Sequence, residues 1–389
     1  MVVVMPGLPA RRPEPVSHRR PPLDVTVDGQ YCADMRLPQR PEEMTPGWID
    51  EVLRAGGALT DRRVVGVRTD PIGGGRGMLS QTIRLHLEYD RSTGSGPSSV
   101  VVKIEPPSGA LADAVKGMKG FEREIGFYTD VAPGIPIRLP RVWCGDVLAD
   151  GSVLVMEDLS GLEALDQVHG VRHEQVLAAV RAIAVVHARY WDDQSLARFT
   201  WLPDHDHFIA DGYVEQWPAF ARKYELEIGR DGVALGERVA RHKKWLEERI
   251  MGRSATLIHS DLRGDNLLHD AATGDVIVID WGMTTRSLGA IDPARLLGGS
   301  EPPPERRGHQ LETFATWYDA LGRAGVRNYG AEEALEDFRL AVLYCLFIPV
   351  KVLAMVGPDA GGRSARLCDA QARRFFASAL ELDAGRLLP

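Results

Sequence analysis

The sequence predicts an α+β chain of two lobes, a small antiparallel sheet first and a larger, mostly helical part after it. Three observations carry this. From Leu79 to Tyr89 the residues alternate, with Leu79, Ile83, Leu85, Leu87 and Tyr89 on one face and Thr82, Arg84, His86 and Glu88 on the other, the period of a half-buried strand. Beyond Leu159 the apolar spacing turns helical, with helices expected across 173–191, 209–228, 233–252, 306–325, 331–356 and 365–383. A chain of 389 residues is long for one core and suits two lobes. The expected division is an N-terminal extension over 1–40, a sheet lobe over 41–158 and a helical lobe over 159–389.

Residues 1–40 are rich in proline and arginine with little periodicity and read as a mobile extension or surface strap. Thr45 is a good N-cap followed by Pro46, with Trp48, Ile49, Val52 and Leu53 at helical spacing and Gly56-Gly57 as the stop. Two β-prone runs, 63–69 and 79–89, flank the glycine-rich turn 71–78. Without a Cβ in the way, Gly73, Gly74, Gly75 and Gly77, with Ser80 just beyond, can bring backbone amides against phosphate oxygens; the competing reading is a plain turn. No G-K-[ST] ending or following helix is present, which excludes a Walker-type P-loop.

The run Val100-Val101-Val102-Lys103-Ile104 is a short buried strand, and a lysine inside it is costly unless paired. The next helix, expected from about 114 to 131, offers Glu122 and Glu124. Glu124 is the better partner, because it lies three and four residues before Phe127 and Tyr128 on the inward stripe. The alternative for Lys103 is an edge strand with the amine in solvent. A hairpin around Ala149-Asp150-Gly151 leads into VLVMEDL, where a strand leaves the sheet for helical sequence. Backbone groups near Glu157 and Leu159, with Met156 beside them, suit the edge of a nucleotide base there. The Glu157-Asp158 side chains are better read as helix-capping charge. In the long helix 173–191, His187 is expected to be structural.

The chemistry concentrates in LIHSDLRGDNLLHDAATGDVIVIDW, residues 257–281, which orders His259, Asp261 and Asn266 as H-x-D-x-x-x-x-N and ends an apolar run at Asp280. Phosphoryl transfer asks for positioning and charge neutralisation more than covalent chemistry. Asp261 suits the holding of an attacking hydroxyl, and Asn266 and Asp280 suit a magnesium ion on the phosphates. The flanking apolar runs, 255–259 and 276–279, give strand, loop, strand, with both acidic groups at strand ends facing one cleft.

FEREIGFY, VLVMEDL, VHARYW, IHSDLRGDNLL and VIDWG follow one another over roughly residues 60–300. In these pieces the chain resembles the aminoglycoside phosphotransferase and choline kinase group of small-molecule kinases, and within it the bacterial ecdysteroid-kinase-like branch. The resemblance implies a two-lobed protein-kinase-like fold, ATP with Mg2+ as phosphoryl donor and a small-molecule alcohol as acceptor. It implies Asp261 as catalytic base, Asn266 and Asp280 as metal ligands, and Lys103 with Glu124 as the phosphate-positioning pair. His259, in the same motif, is read with Asp261 and Arg263 as catalytic. Ser260 stands where the group usually has glycine, a change expected to be tolerated on size. Arg263 can steady the transferring group or face solvent beside Asp265.

A protein kinase is excluded by the short span between Asp280 and the Gly289-Ala290-Ile291-Asp292-Pro293-Ala294 segment, too short for a substrate-docking segment. Asp292 is expected to be a helix N-cap packed under the loop. Two alternatives stay open: a kinase-shaped nucleotide-binding protein without turnover, and an aminoglycoside resistance kinase, disfavoured because the tail ELDAGRLLP lacks an acidic cluster. The aromatic and histidine residues Trp191, Trp201, His205, His207, Phe208, Tyr213, Trp217 and Phe220 line an acceptor pocket or fill the core. A net charge of -8 gives no support to nucleic-acid binding. Cys32, Cys144, Cys345 and Cys368 lack C-x-x-C spacing, so neither a zinc site nor a disulfide framework is indicated, and a reducing cytoplasm is the simplest setting. No apolar run of about 18 residues is apparent and no signal peptide or membrane partner is expected.

Overall fold

The alternating runs of the first lobe become a five-stranded antiparallel sheet in the computed structural model, which describes residues 37–72, 80–105, 117–148, 151–205, 207–303 and 308–389. Its strands β1 (Val64–Ile72), β2 (Gln81–Tyr89), β3 (Ser99–Ile104), β4 (Val142–Leu148) and β5 (Gly151–Glu157) stand in the order β1-β2-β3-β5-β4. Helix α1 (Pro46–Ala55), capped by Thr45 Oγ1 accepting the Trp48 N–H at 3.2 Å, packs on one face. Period-two alternation then divides β3 between two cores. Val100, Val102 and Ile104 join Ile49, Val52 and Leu53 of α1, whereas Val101, with Leu154 and Met156 of β5, belongs to the larger core that runs into the second lobe. Lys103 therefore shares the side of Val101, facing the seam between the lobes. It pairs in register with Thr82 on one side and Leu154 on the other, so β3 is the central strand and the edge-strand reading is wrong.

Helix α2 (Gly120–Gly126) continues into a π-helical turn, Phe127–Val131. Residues 117–118 are helical too, so the helix expected from about 114 to 131 is interrupted at 119 within its described part. Lys119 takes a left-handed conformation, φ 54°, at the start of α2, and residues 106–116 lie outside the described ones. So do Gly73, Gly74, Gly75 and Gly77 and all of the expected extension except 37–40, of which Leu37 is buried in the sheet-lobe core.

The second lobe is helical around two small ribbons. Its helices are α3 (His173–Arg189), α4 (Tyr213–Arg241), α5 (Lys243–Met251), α6 (Ile291–Ser300), α7 (His309–Arg323), α8 (Ala331–Tyr344), α9 (Phe347–Val356) and α10 (Gly362–Glu381). Gly229, at φ 69° and ψ 175°, reverses α4, so its two arms fold together and the Tyr213 hydroxyl reaches the Gly236 carbonyl at 3.4 Å. That is the break expected between 228 and 233. The second arm ends at Arg241, short of the expected 252, and α5 follows. Strand β7 (Ala255–Ile258) pairs with β10 (Thr285–Leu288), and β6 (Glu163–Ala164), β8 (Leu267–His269) and β9 (Val276–Val278) form the second ribbon.

Two expectations need correction here, and one left open is decided. One run does pass a membrane test by length and composition: Ala331–Val356, with mean hydropathy 2.0 over its best 18-residue window. That window is 61% buried, and the run breaks at Cys345-Leu346 into α8 and α9, whose Phe338, Leu340, Leu343, Phe347 and Val350 are core residues. Cys144 is disulfide-bonded, against the expectation from cysteine spacing, while Cys345 and Cys368 are free and buried. Tyr213, Trp217 and Phe220 are core: Tyr213 stacks on Trp217 and meets Phe347 edge-on, and Trp217 and Phe220 stack on Phe376, which settles their role as packing.

Candidate active site

Lys103 is where the two lobes meet. Its Nζ donates to Glu124 Oε1 at 2.7 Å and to Asp280 Oδ1 at 2.9 Å, so a buried ammonium from the sheet is shared between a carboxylate of α2 and one from the second lobe. Burial works against the ammonium, but the charges of Asp280 and Glu124 outweigh it and hold its pKa above the ordinary range. Burial raises the Glu124 carboxyl to about 7, with Lys103 opposing. Partial burial would raise the Asp280 carboxyl, yet Lys103 holds it below the usual carboxylate range. Among these three, Asp280 has the most open side chain, 38% exposed against 11% for Lys103 and 6% for Glu124. Its carboxylate is the one available to a further cation.

Asp280 owes its direction to the backbone, which turns left-handed there, φ 68° and ψ 62°. The next residue locks the turn. Trp281 is fully buried, stacks on Phe127 of the π-helical turn at 3.7 Å and 6°, and donates its Nε1–H to the Val278 carbonyl at 3.2 Å. A π-turn is a costly irregularity in a helix. Here it supplies the ring on which the Asp280 segment rests.

The 259–266 loop is stitched to that segment on both sides of Asp280's neighbour. His259 Nε2 donates to the Ile279 carbonyl at 3.0 Å, and the Ile279 N–H donates to the Asn266 carbonyl at 3.0 Å. With Nε2 as donor, His259 Nδ1 accepts the Asp261 N–H at 3.2 Å, which fixes the ring within the loop. Asn266 Nδ2 donates to the Asp261 carbonyl at 2.9 Å and to its Oδ2 at 3.1 Å, leaving Oδ1 as the acceptor end of that amide.

Asp261 is more heavily engaged than its sequence suggests. Arg263 Nε donates to Oδ2 at 3.1 Å, and Arg295 of α6 donates to Oδ1. Burial would raise this carboxyl, but the two guanidinium charges dominate and hold it well below the usual range. Arg263 also reaches Asp265 at 3.0 Å and Gln167 at 3.2 Å, and its side chain is only 15% exposed. It is paired with Asp265 as one reading had it, but it does not face solvent.

Asp292 corrects another expectation. It lies inside the first turn of α6 rather than at its cap, fully buried, and its carboxylate accepts the His259 N–H at 2.7 Å, the Ser260 N–H at 2.8 Å and His187 Nε2–H at 3.1 Å. His187 Nδ1 in turn accepts the Trp317 Nε1–H at 3.0 Å. The carboxylate caps the loop, not the helix. Ser260 above it sits at φ 65°, so the reason for glycine at this position is conformation and not volume.

At the end of β5, Met156 is buried, while Glu157 and Asp158 cap no helix. Glu157 pairs with Arg138 at 2.5 Å and accepts the Arg141 N–H at 3.0 Å; Asp158 takes Arg84 at 2.7 Å and the Ser99 hydroxyl at 2.6 Å. Helix α3 begins only at His173, so there is no terminus nearby for them to cap. The Leu159 carbonyl accepts the Leu162 N–H at 2.9 Å in a turn. Ser80 lies 3.3 Å from the Thr82 hydroxyl.

Two residues of this site escaped the motif reading. Arg295 is the one cation in IDPARLL, a run apolar but for it and Asp292, and the argument that demanded a partner for Lys103 would have found it. Arg363, at the start of α10, bridges Asp166 at 2.8 Å and Asp265 at 2.7 Å, and nothing in its local sequence signals this.

The profile of the phosphotransferase enzyme family matches residues 84–334, a span that contains every one of these groups from Lys103 to Arg295. The chain belongs to the phosphotransferase enzyme family. Among solved structures, it is similar to a microcompartment-associated aminopropanol kinase, with 17% identity and a TM-score of 0.51 over 87% of this chain and 100% of the other. A protein of Ralstonia eutropha assigned as an aminoglycoside phosphotransferase gives 14% identity and a TM-score of 0.52 over 87% and 97%. A choline kinase from Cryptosporidium parvum gives 10% identity and a TM-score of 0.50 over 83% and 92%. At these identities the likeness is one of fold, the two-lobed α+β fold described above. No curated protein matches the chain.

Proposed function

We propose that this member of the phosphotransferase family moves the γ-phosphoryl group of ATP, with Mg2+, to a hydroxyl of a small molecule. The observation that carries the reading is the Lys103 ammonium held between Glu124 and Asp280, one seam away from the Asp261–Asn266 pair. A fixed cation, two carboxylates and an amide converging between a sheet and a helical lobe supply the positioning and charge that phosphoryl transfer requires.

In this reading Lys103 bonds the α/β-phosphates and Glu124 keeps its amine in place. Asp280 and Asn266 are hard oxygen donors of the kind Mg2+ prefers. When bound there, the ion would neutralise phosphate charge. Asp261 accepts the hydrogen bond of the acceptor hydroxyl and aims its oxygen at the phosphorus. Held so far below neutral pH, its carboxylate works as an orienting acceptor rather than a strong base, which suits a loose transition state with little bond formation to the nucleophile. Arg263, already on Asp261, would face the charge of the transferring group. The backbone near Glu157 and Leu159, beside Met156, would receive the base of the nucleotide, and Gly73, Gly74, Gly75 and Gly77, with Ser80, would cover its phosphates.

The engagement of Asp261 by Arg263 and Arg295 favours a second reading, a nucleotide-binding protein without turnover. ADP release from MgATP, measured across a panel of neutral, anionic and cationic alcohols, separates the two. Turnover with at least one acceptor is expected, and Asp261→Asn should lower it by about a hundredfold or more with nucleotide affinity retained. A melting shift with MgATP but no ADP release from any acceptor supports the second reading instead.

A further inference from the structure

Away from the seam, the first residue of α3, the residue closing α6 and the first residue of α7 bring His173, Glu301 and His309 together. Their ligand-capable atoms all lie within 4.8 Å of one another. His173 Nδ1 stands 3.3 Å from the Glu301 carboxylate, His309 Nδ1 stands 2.6 Å from Glu301 Oε1, and the two imidazole rings stack at 3.7 Å. The other nitrogen of His173, Nε2, lies 3.2 Å from Glu312 Oε2.

That last contact decides what the trio can do. A neutral imidazole that gives its Nε2–H to Glu312 keeps a lone pair on Nδ1, directed at Glu301 and His309. A metal-binding histidine is usually arranged in this way, with an outer carboxylate fixing its tautomer. We propose that His173, Glu301 and His309 form a binding site for a divalent transition-metal ion of the Zn2+ type, with Glu312 orienting His173. Two imidazole nitrogens and one carboxylate suit such an ion, whereas Mg2+ and Ca2+ prefer oxygen alone. With Zn–N distances of about 2.0–2.1 Å, ligand atoms around a tetrahedral ion stand roughly 3.3 Å apart. The His173–Glu301 pair already has that spacing. The His309 ring, 34% exposed, can turn outward to reach it and opens the site to solvent on its side.

The site would brace the proposed active centre without belonging to it. Ser300, next to Glu301, accepts the Gly264 N–H at 2.9 Å through its hydroxyl and the Val171 N–H at 2.9 Å through its carbonyl. An ion tying α3, α6 and α7 together would therefore hold the floor of the 259–266 loop. The inference does not rest on the phosphotransfer reading, and its test needs no turnover.

The full chain, stripped with a chelator, is titrated with Zn2+ by calorimetry and with Co2+ by visible absorption, in the wild type and in an Asp280→Ala background that removes the cleft carboxylate. One equivalent should bind in both, with Co2+ giving the intense visible bands of a tetrahedral site. Glu312→Gln should weaken binding about 10–100-fold, and His309→Ala at least as much, with an unchanged circular dichroism spectrum. Absence of Zn2+ and Co2+ uptake overturns the proposal, and so does one-equivalent binding of unaltered affinity in both variants; either leaves the trio as a hydrogen-bonded staple between helices.

Discussion

Ser260 holds a left-handed backbone within the 259–266 loop. Serine tolerates that conformation at modest cost, but a β-branched side chain does not. Ser260→Val should therefore lower stability by about 1–3 kcal/mol in urea unfolding, whereas Ser260→Gly should leave it unchanged or raise it slightly. If both variants unfold at the wild-type midpoint, the conformational account is wrong. Asp280 allows a sharper functional test, because its carboxylate is the open one. Asp280→Ala should abolish the magnesium dependence of ATP binding seen by calorimetry, and an unaltered Mg2+ effect would remove this residue from the ion's ligands. At this scale the sequence was readable wherever a charge interrupted an apolar run. Lys103 announced the need for a partner, and helical spacing chose Glu124 over Glu122. The two arginines on Asp261 were harder to see. One lies 34 residues further along the chain, and the other has two plausible partners within two residues.

Elements fix the loop more than the loop fixes itself. The carboxylate of Asp292, carried on α6, satisfies two backbone N–H groups of the 259–260 turn and the His187 ring, the Ser260 contact half-buried and the other two buried. Removing it leaves three donors without that acceptor, each worth about 1–3 kcal/mol when unsatisfied. Asp292→Ala should cost about 3 kcal/mol or more and speed amide exchange at His259 and Ser260 beyond that of the β7 strand. Uniform acceleration across the lobe would mean a general loss of stability and not a released loop. Sequence alone named Asp292 as important and placed it under the loop, but assigned it to its own helix terminus. Position in a helix is local information; the direction of a carboxylate across to another strand is tertiary. The same limit explains why the aromatic concentration after Trp191 was ambiguous, since core and pocket share one composition.

Across the whole molecule, α10 reaches back to the loop through arginines. Arg363 bonds Asp166 and Asp265, and Arg374 donates to the Val168 carbonyl at 3.0 Å and the Gly299 carbonyl at 3.2 Å. Burial would raise the Asp166 carboxyl, but the Arg363 bonds and two backbone N–H groups bring it down to about 2. A carboxyl with a depressed folded-state pKa contributes stability above its unfolded value, about 3.9, and loses it as pH falls through the folded value. Between roughly pH 4 and 2 the unfolded chain binds more protons than the folded one, so stability falls with acid. Arg363→Met should flatten that fall, read as urea midpoints at pH 4.5, 3 and 2. Parallel losses in variant and wild type would show that Asp166 is not held by this arginine. The two-lobed architecture itself was legible, because period-two and helical runs segregate so cleanly along the chain. The long-range contacts of α10 were not.

Those contacts have a consequence for how the protein is made. During synthesis the 259–266 loop emerges about a hundred residues before Arg363 and Arg374, so Asp166, Asp265 and the neighbouring carbonyls leave the ribosome ahead of the segment that binds them. A nascent chain stopped short of residue 362 would carry every motif residue of the site and still lack its closing clasp. The order of synthesis therefore leaves Asp166, Asp265 and the neighbouring carbonyls without these arginines until the chain has passed residue 374.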